Sequence, residues 1–576
     1  MRGLRITIAI ITLTMLTGCL SHIPDSGTVS YGAEAYAPSE QNFVRTLVSP
    51  PNPGATPQDL IREFLAAAAG DQGDYATSRL YLAPEIRYSW QPQVEVRIYS
   101  GRLQNIHLRA PRELNTYGLT GPRLGTIDQQ GHYQREFSGA SLSEYFSLQQ
   151  VDGQWRISSL ADGRLLSESD VARSYRRLNI YFLNSSKRSL VPDPVYLPVT
   201  LGISTSLINA LLAGPTTWLS PAVTSAIPFS TSLVAGSVPI QQGVASVDLS
   251  APAVRISSSD VRALSAQIVW TLKQLAEVAA VRITFGRVPL IVAGSGQAQS
   301  RFSYSNFSPD VLAGVSPSFV IGDQGISQIT GLTSKPTFAV VESSKAGAVS
   351  RFRAAAVSLD SKSLAGITEA NSLVSGPMAG PFALRAVGIA GTEWLPPSWD
   401  ADGNLWAVQK SANRSDIYVI TPDGRTIAVE AGLFANLNVQ GFRIARDGSR
   451  AAYAIANGDS SRLFVARVIH FGLGMDPKLR VEAPIEIPWS GGPIGSISWI
   501  DAMDLAILTA SEPRSIWRVG IDGPEQINLA GIVEPIVMTS APGMPMLAID
   551  REGRLSALVG ESWFVIGTGK YPIYPG

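Results

Sequence analysis

Cys19 is the one thiol in a chain of 576 residues, so no disulfide can form within it and any sulfur chemistry falls on this side chain. The other chemistry-bearing residues are sparse. The four histidines, His22, His107, His132 and His470, are scattered along the chain, too dispersed to suggest a metal cluster or a His-based relay. Asp400-Ala-Asp402-Gly403-Asn404 comes nearest to a calcium loop, but the twelfth position is Ser411, where a bidentate Glu is needed. Neither His-Glu-x-x-His nor Gly-x-Ser-x-Gly occurs. The tail Ile566-Gly-Thr-Gly-Lys570 fails as a phosphate loop, because Phe564 stands at its first Gly and Tyr571 follows the Lys. The expectation is a non-enzyme with no catalytic residue, metal or cofactor. Paired carboxylates that meet only in the fold stay open.

The setting of Cys19 decides its chemistry. Arg2 and Arg5 precede an apolar run from Ile6 to Leu16, and small residues follow. That is the layout of a secretory signal, and the run is shorter than the roughly 20 apolar residues of a membrane span. Leu16-Thr17-Gly18-Cys19 resembles the lipobox of bacterial lipoproteins. The resemblance implies cleavage after Gly18 and a thioether-linked diacylglycerol on Cys19. Each buried methylene contributes about 0.8 kcal/mol, so two or three acyl chains hold a protein durably on a membrane. The expected location is the extracytoplasmic face of the cell membrane, with 1–18 as signal peptide.

Composition narrows the partners. Basic and acidic residues balance at 46 each, which leaves no global field to attract nucleic acid. Charged residues are only 16% and apolar ones 45%. Gly and Pro total 52 and 38, a turn-rich composition that suits a mostly β chain. Length alone suggests three or four domains.

The elements follow in order. Residues 19–56 are polar and Pro-rich, ending in Pro50-Pro51-Asn52-Pro53-Gly54, and read as an extended tether. Thr56-Pro57-Gln58-Asp59 is a helix start, followed by Leu60, Ile61, Phe64, Leu65 and Ala68 at helical spacing. A second helical piece, Tyr75 to Leu82, ends at Pro84. Strands are expected at Val94–Ile98, Tyr133–Phe137, Tyr145–Gln150 and Gln154–Ser158. "FLAAAAGDQGDYATSRLYL" and "VDGQWRIS" resemble the nuclear-transport-factor-2-like (NTF2-like) cone domains, which implies such a domain over 57–166, acting as a packing module or holding a ligand in its cone.

Over 175–295 the pattern alternates: strands at Leu178–Leu183 and Val195–Leu201, a helix at Ser204–Ala213, a strand at Val244–Ser250, a helix capped by Ser257 and a strand at Val281–Phe285. The long helix has a stripe of Val261, Leu264, Ile268, Leu272, Leu275 and Ala279. This predicts a small α/β sandwich. "LINALLAGP", "AIPFSTSL", "GVASVDLS" and "AQIVWTLKQLAEVAAVRITF" resemble the GerMN domain in the same order. Asp248 is read as a turn residue rather than a ligand contact.

Residues 300–576 repeat weakly. Asp360, Asp402, Asp447, Asp501 and Asp550 each sit between short apolar strands, 42, 45, 54 and 49 residues apart. "VIGDQGISQITGL" at 320–332 supplies a further unit. A period of about 40 to 55 residues is that of a β-propeller, expected here with five to seven blades.

Anchor, cone, GerMN unit and propeller in this order resemble the LpqB lipoprotein family of actinobacteria. The resemblance implies a partner, the extracytoplasmic part of the sensor histidine kinase of the Mtr two-component system, and a role in modulating its signalling, with effects on cell-wall homeostasis and division. Two other classes stay open. One is a cell-wall polysaccharide or peptidoglycan binder that stacks sugars on Trp394, Trp399, Trp406, Trp517 and Trp563. The other is a propeller enzyme using carboxylates.

Overall fold

The first helix starts where its capping residues sit. Thr56 Oγ1 accepts from the Asp59 backbone N–H at 3.3 Å and donates to the Asp59 carboxylate at 2.6 Å, and the helix runs Pro57–Gly70. The structure is a computed structural model. It describes residues 48–576 except 71–73, 102–106, 110–114, 137–139, 200–201, 251–256, 313–315, 334, 342–350, 379–383, 390–392, 412–413, 433, 435–436, 473–476 and 523–525, and the side chains of 107–109. Cys19, His22 and the signal segment lie outside the described residues, as does the side chain of His107.

Leu60, Ile61, Phe64, Leu65 and Ala68 face inward as their spacing predicts. They cover a sheet of order Gln154–Ser159, Ser141–Val151, Thr116–Asp128, Glu95–Tyr99, Arg164–Ser167, antiparallel except for its last pair. Phe64 meets Tyr81, Trp90 and Phe146 with ring centroids 5.4–6.4 Å apart. The central strand, Thr116–Asp128, was not expected, because Gly118, Gly121, Pro122 and Gly125 read as breakers. Two of these glycines make room for neighbouring rings. A Cβ on Gly118 would stand 3.3 Å from Tyr145, and one on Gly125 would stand 2.5 Å from Gln134 O and 2.6 Å from Tyr133. The helix expected over Tyr75–Leu82 shortens to Ala76–Arg79. Of the strand expected over Tyr133–Phe137, Tyr133–Arg135 is strand and Glu136 is not, while Phe137 lies outside the described residues. Residues 48–56, read as part of the tether, lie against this domain: Tyr81 donates to Ser49 O at 2.9 Å and Asn52 donates to Glu63 at 2.6 Å.

The middle unit opens with a hairpin, Tyr175–Leu183 against Leu190–Pro198, followed by the helix Ile203–Ala213. Val244–Leu249 and Ala280–Phe285 pair in parallel across the helix Ser258–Leu272, whose cap Ser257 accepts from Asp260 N–H at 3.1 Å. The apolar stripe expected to run through Leu275 to Ala279 breaks at Leu272. Ala279 and Ala280 both donate to Gly243 O, at 2.7 and 3.0 Å, which turns the chain out of the helix. Leu275 and Val278 remain buried, whereas Ala279 is exposed.

Among the described residues six four-stranded antiparallel sheets follow, one for each blade of a propeller. Blade one is Ser318–Gly322, Gly325–Thr330 and Thr337–Val340, and its inner strand is Tyr571–Ile573 from the far end of the chain. Blades two to six begin at Phe352, Ser398, Val439, Ile494 and Pro535. Asp360, Asp402, Asp447 and Asp501 lie in or beside the turn between first and second strands of blades two to five. Asp550 does not: it ends the second strand of blade six. Its 49-residue step therefore joins two non-equivalent turns. The equivalent turn of blade six is Ser540-Ala-Pro-Gly-Met544, which carries no acid, and Asp323 of blade one is out of phase in the same way as Asp550. The tail around Gly569-Lys570 joins two strands, Ser562–Thr568 and Tyr571–Ile573, with no helix of a phosphate loop after it.

Candidate functional site

The densest chemistry lies where the three folded units meet. On the middle hairpin Arg177 and Tyr196 are direct cross-strand partners, so they point to one face. Arg177 is ion-paired with Asp522, in the turn between third and fourth strands of blade five. The Asp522 side chain is 8% exposed; burial pushes its carboxyl up and Arg177 pulls it back. Tyr196 donates to Asp522 O at 3.3 Å, and its ring lies 5.4 Å from that of Tyr133 in the first domain. One tyrosine thus touches all three units. The approach is close: a Cβ on Gly131 would stand 2.9 Å from Tyr196 O.

His132 follows Gly131. Its Nδ1 is 3.1 Å from the Asp128 carboxylate, and Asp193 of the middle unit faces it. Burial works to lower the imidazole, but Asp128 and then Asp193 outweigh it and hold it above its ordinary value. Asp193 is buried and accepts from Thr216 N–H at 2.7 Å and Thr216 Oγ1 at 3.1 Å. Burial raises its carboxyl.

A second set of contacts ties the middle unit to blade four. Trp218 donates its indole N–H to Ala483 O at 2.5 Å, and Arg467 donates to Trp218 O at 2.6 Å. Asn184 donates to Asp447 O at 3.1 Å. Asp447 itself is paired with Arg450 at 2.6 Å, both side chains 1% exposed.

At the propeller axis Arg446 is buried and donates to Trp499 O, Ser540 O and Pro575 O at 3.1, 2.8 and 3.2 Å. Burial lowers its guanidinium to about 10. Asp310, in the segment entering the propeller, and Asp501 both act on it electrostatically. Asp310 accepts from Ala502 N–H at 3.1 Å and is pushed up to about 6, by burial first and then by Asp501. Asp501 accepts from Met503 and Asp504 N–H and is also raised by burial. This is one place where acids with raised pKa converge at the axis. Each already holds backbone donors, and the space beside Arg446 is about 30 Å³. That is room for about two or three waters.

The residues singled out in the sequence fall elsewhere. The Asp400 carboxylate is buried and accepts from Asp402 N–H, Asn404 N–H, Asn404 Nδ2 and Trp406 Nε1 at 2.8–3.0 Å, so its lone pairs brace a turn. Asp248 accepts from Thr284 Oγ1 at 2.6 Å and Arg287 N–H at 2.8 Å and pins the hairpin at 285–288. Trp394, Trp399 and Trp406 are buried, and Trp517 and Trp563 half-buried, so the five rings form no exposed row. His470 stands in blade four, far along the chain from His132. Among the described residues no group of three His, Cys, Asp or Glu is arranged to hold a metal ion, and no helix is long and apolar enough to cross a membrane. A groove of about 760 Å³ runs between the outer strands of blades three and four, lined by Arg414, Asp416, Tyr418, Glu430, Arg480 and Glu482 among others.

Sequence reading missed Arg177, Asp193, Tyr196, Trp218, Arg446 and Asp522. Asp522-Gly523 repeats the Asp-Gly pair of the other hairpins in the sequence, and that was a usable signal. For Arg177 and Tyr196 there was none, since their pairing depends on hairpin register.

Three family models match the chain: "Lipoprotein LpqB, N-terminal domain" over 50–172, "Sporulation and spore germination" over 179–290, and "Lipoprotein LpqB beta-propeller domain" over 334–575. Curated relatives named Lipoprotein LpqB align along almost the whole length. That of Thermobifida fusca is 28% identical over 98% of this chain and 97% of its own. That of Streptomyces avermitilis is 26% identical over 98% and 96%. That of Cutibacterium acnes is 32% identical over 51% and 49%.

Proposed function

Since the chain belongs to the LpqB lipoprotein family, we propose that it is a lipid-anchored, extracytoplasmic accessory of the membrane sensor histidine kinase of the Mtr system. In this reading residues 1–18 are removed, Cys19 carries the lipid, and the chain from 19 to about 47 is the tether. The NTF2-like, GerMN and propeller units, over 57–166, 175–295 and 300–576, form the body that meets the kinase ectodomain. The observation that carries the reading is the use made of the buried charges. Arg177–Asp522 holds the middle unit to the propeller, Arg446 joins blades four, five and six, and Arg450, paired with Asp447, lies over Trp499 of blade five. Such a chain acts through its outer surface. The anchor adds effective concentration, because tethering both proteins to one membrane makes their encounter two-dimensional.

The test is a pull-down of the purified kinase ectodomain by the chain from residue 20, which retains every described residue. Saturable binding is expected. In cells, Cys19→Ala is expected to abolish the effect on signalling with the body still folded. No binding at high micromolar concentration, or full signalling by the unlipidated form, overturns the proposal. A second reading, binding of a cell-wall glycan, rests on the groove between blades three and four, whose mixed charges and Tyr418 suit a polar polymer. Peptidoglycan fragments that protect this groove in hydrogen exchange would favour it.

A further inference from the structure

Outer strands of propeller blades expose a row of backbone donors and acceptors, and most blades here guard theirs. Those of blades two, three and five are short: Arg385–Ala386, Thr426–Ala428 and Gln526–Asn528. Blade four has a long one, Lys478–Ile487, but it carries Lys478, Arg480, Glu482, Pro484 and Glu486, and three of these charges are ion-paired to neighbours. Blade six differs. Its outer strand, Ser562–Thr568, is seven residues long and reads Ser-Trp-Phe-Val-Ile-Gly-Thr, without a charge. It pairs with Arg554–Val559 on one side, and among the described residues nothing pairs with the other. Phe564 and Val565 are 54% and 64% exposed although successive strand residues point to opposite faces. Phe338, on the outer strand of blade one, packs over Gly567 and widens the apolar area.

We propose that this strand is a self-pairing edge, through which two copies of the chain associate antiparallel and join their sixth blades into one continuous sheet. Three observations select a second copy as occupant. The chain has equal numbers of acidic and basic residues, so two copies do not repel overall. The edge is uncharged throughout, so a two-fold axis near Val565 and Ile566 opposes apolar residue to apolar residue. Glu561 precedes the strand and Lys570 follows it, so an antiparallel copy brings opposite charge to each end. Lys570 is bonded to Asp323 at 2.8 Å, yet its side chain is 52% exposed and stays within reach of a second carboxylate. The contact is small, so the dimer is weak in solution and strengthened where anchored copies share a membrane.

Sedimentation equilibrium of the chain from residue 20, followed up to several hundred micromolar, tests this. A reversible monomer–dimer equilibrium is expected, and Val565→Lys weakens it by about tenfold or more, since a lysine on an edge strand is a common guard against pairing. The position is exposed enough for the variant to fold. This form has no cysteine, so Val565→Cys offers a clean second readout: it crosslinks to dimer on mild oxidation, whereas Tyr88→Cys, 84% exposed on the first domain, does not. A monomer throughout, a dimer indifferent to Val565→Lys, or equal crosslinking by both cysteines overturns the proposal. So does a monomer whose edge amides become protected only when the kinase ectodomain is added, which assigns the edge to that partner.

Discussion

Asp310 shows how a single carboxyl records the way the chain enters the propeller. Protein crowds it, Asp501 repels it, and Arg446 and the Ala502 N–H only partly offset this, so it titrates near 6 in place of its ordinary 3.8. A carboxyl raised in the folded state binds more protons there than in the unfolded chain between those two values. Stability therefore falls as pH rises through that window. Asp310→Asn keeps an oxygen for Ala502 N–H and removes the titration. The stability of the native chain is expected to decline more from pH 4 to 6 than that of the variant, in parallel urea titrations at several pH values. Equal slopes would mean that Asp310 is solvated like a surface acid. Arg446, Arg301 and Asp501 face this group, and their charges set how much of the slope remains in the variant.

At the scale of elements, closure of the ring depends on one short strand. Tyr571–Ile573 pairs with Phe319–Ile321 and supplies blade one with its inner strand. Tyr571, Ile573 and Tyr574 are 8%, 2% and 3% exposed. Burying three such side chains contributes about 5–9 kcal/mol at 1.5–3 each, comparable to the whole stability of a domain. A chain ending at Thr568 is expected to lose the cooperative melting of the propeller and become protease-sensitive there, while Tyr571→Ala lowers the midpoint and keeps a single transition. This strand marks where sequence reading stopped. The hairpins of the blades were legible because apolar strands flank Asp and Gly at turns, and the helix starts were legible from Thr56 and Ser257. The phase of Asp550 was not, since a turn between first and second strands looks like one between second and third until the pairing is known. Thr116–Asp128 was hidden because its glycines serve tyrosines on neighbouring strands, contacts that no local window contains. The blade count required knowing that Tyr571–Ile573 joins Ser318–Gly322, some 250 residues earlier in the chain. Arg177, Tyr196 and Asp522 come together through hairpin register and domain docking, so the junction they form was out of reach.

Over the whole molecule the junction decides whether the three units behave as one body. Arg177 reaches from the middle unit to Asp522 in the propeller, and Tyr196 links the same site to Tyr133 in the first domain. Replacing Arg177 by Met keeps the volume of its stem but leaves the Asp522 carboxylate without its counter-charge. Removing one partner of a fully buried pair costs about 3–5 kcal/mol. Arg177 keeps 34% of its side chain exposed, so screening reduces the effect to about 1–3 kcal/mol. The loss falls on the interface and spares each core. Calorimetry of the native chain from residue 20 is expected to give one dominant transition, and Arg177→Met to split it, with the propeller melting separately. Asp522→Asn in the same background removes the stranded charge and is expected to bring the transitions back together. If Arg177→Met instead lowers one transition without splitting it, the units are held mainly by Trp218, Arg467 and Asn184 on the blade-four side. A body held together at the Arg177 junction presents its outer surfaces at fixed angles to one another. In the proposed complexes such a body would meet the kinase ectodomain or a second copy in a defined orientation, and the same variant that splits the melting is expected to weaken kinase capture without touching the exposed edge of blade six.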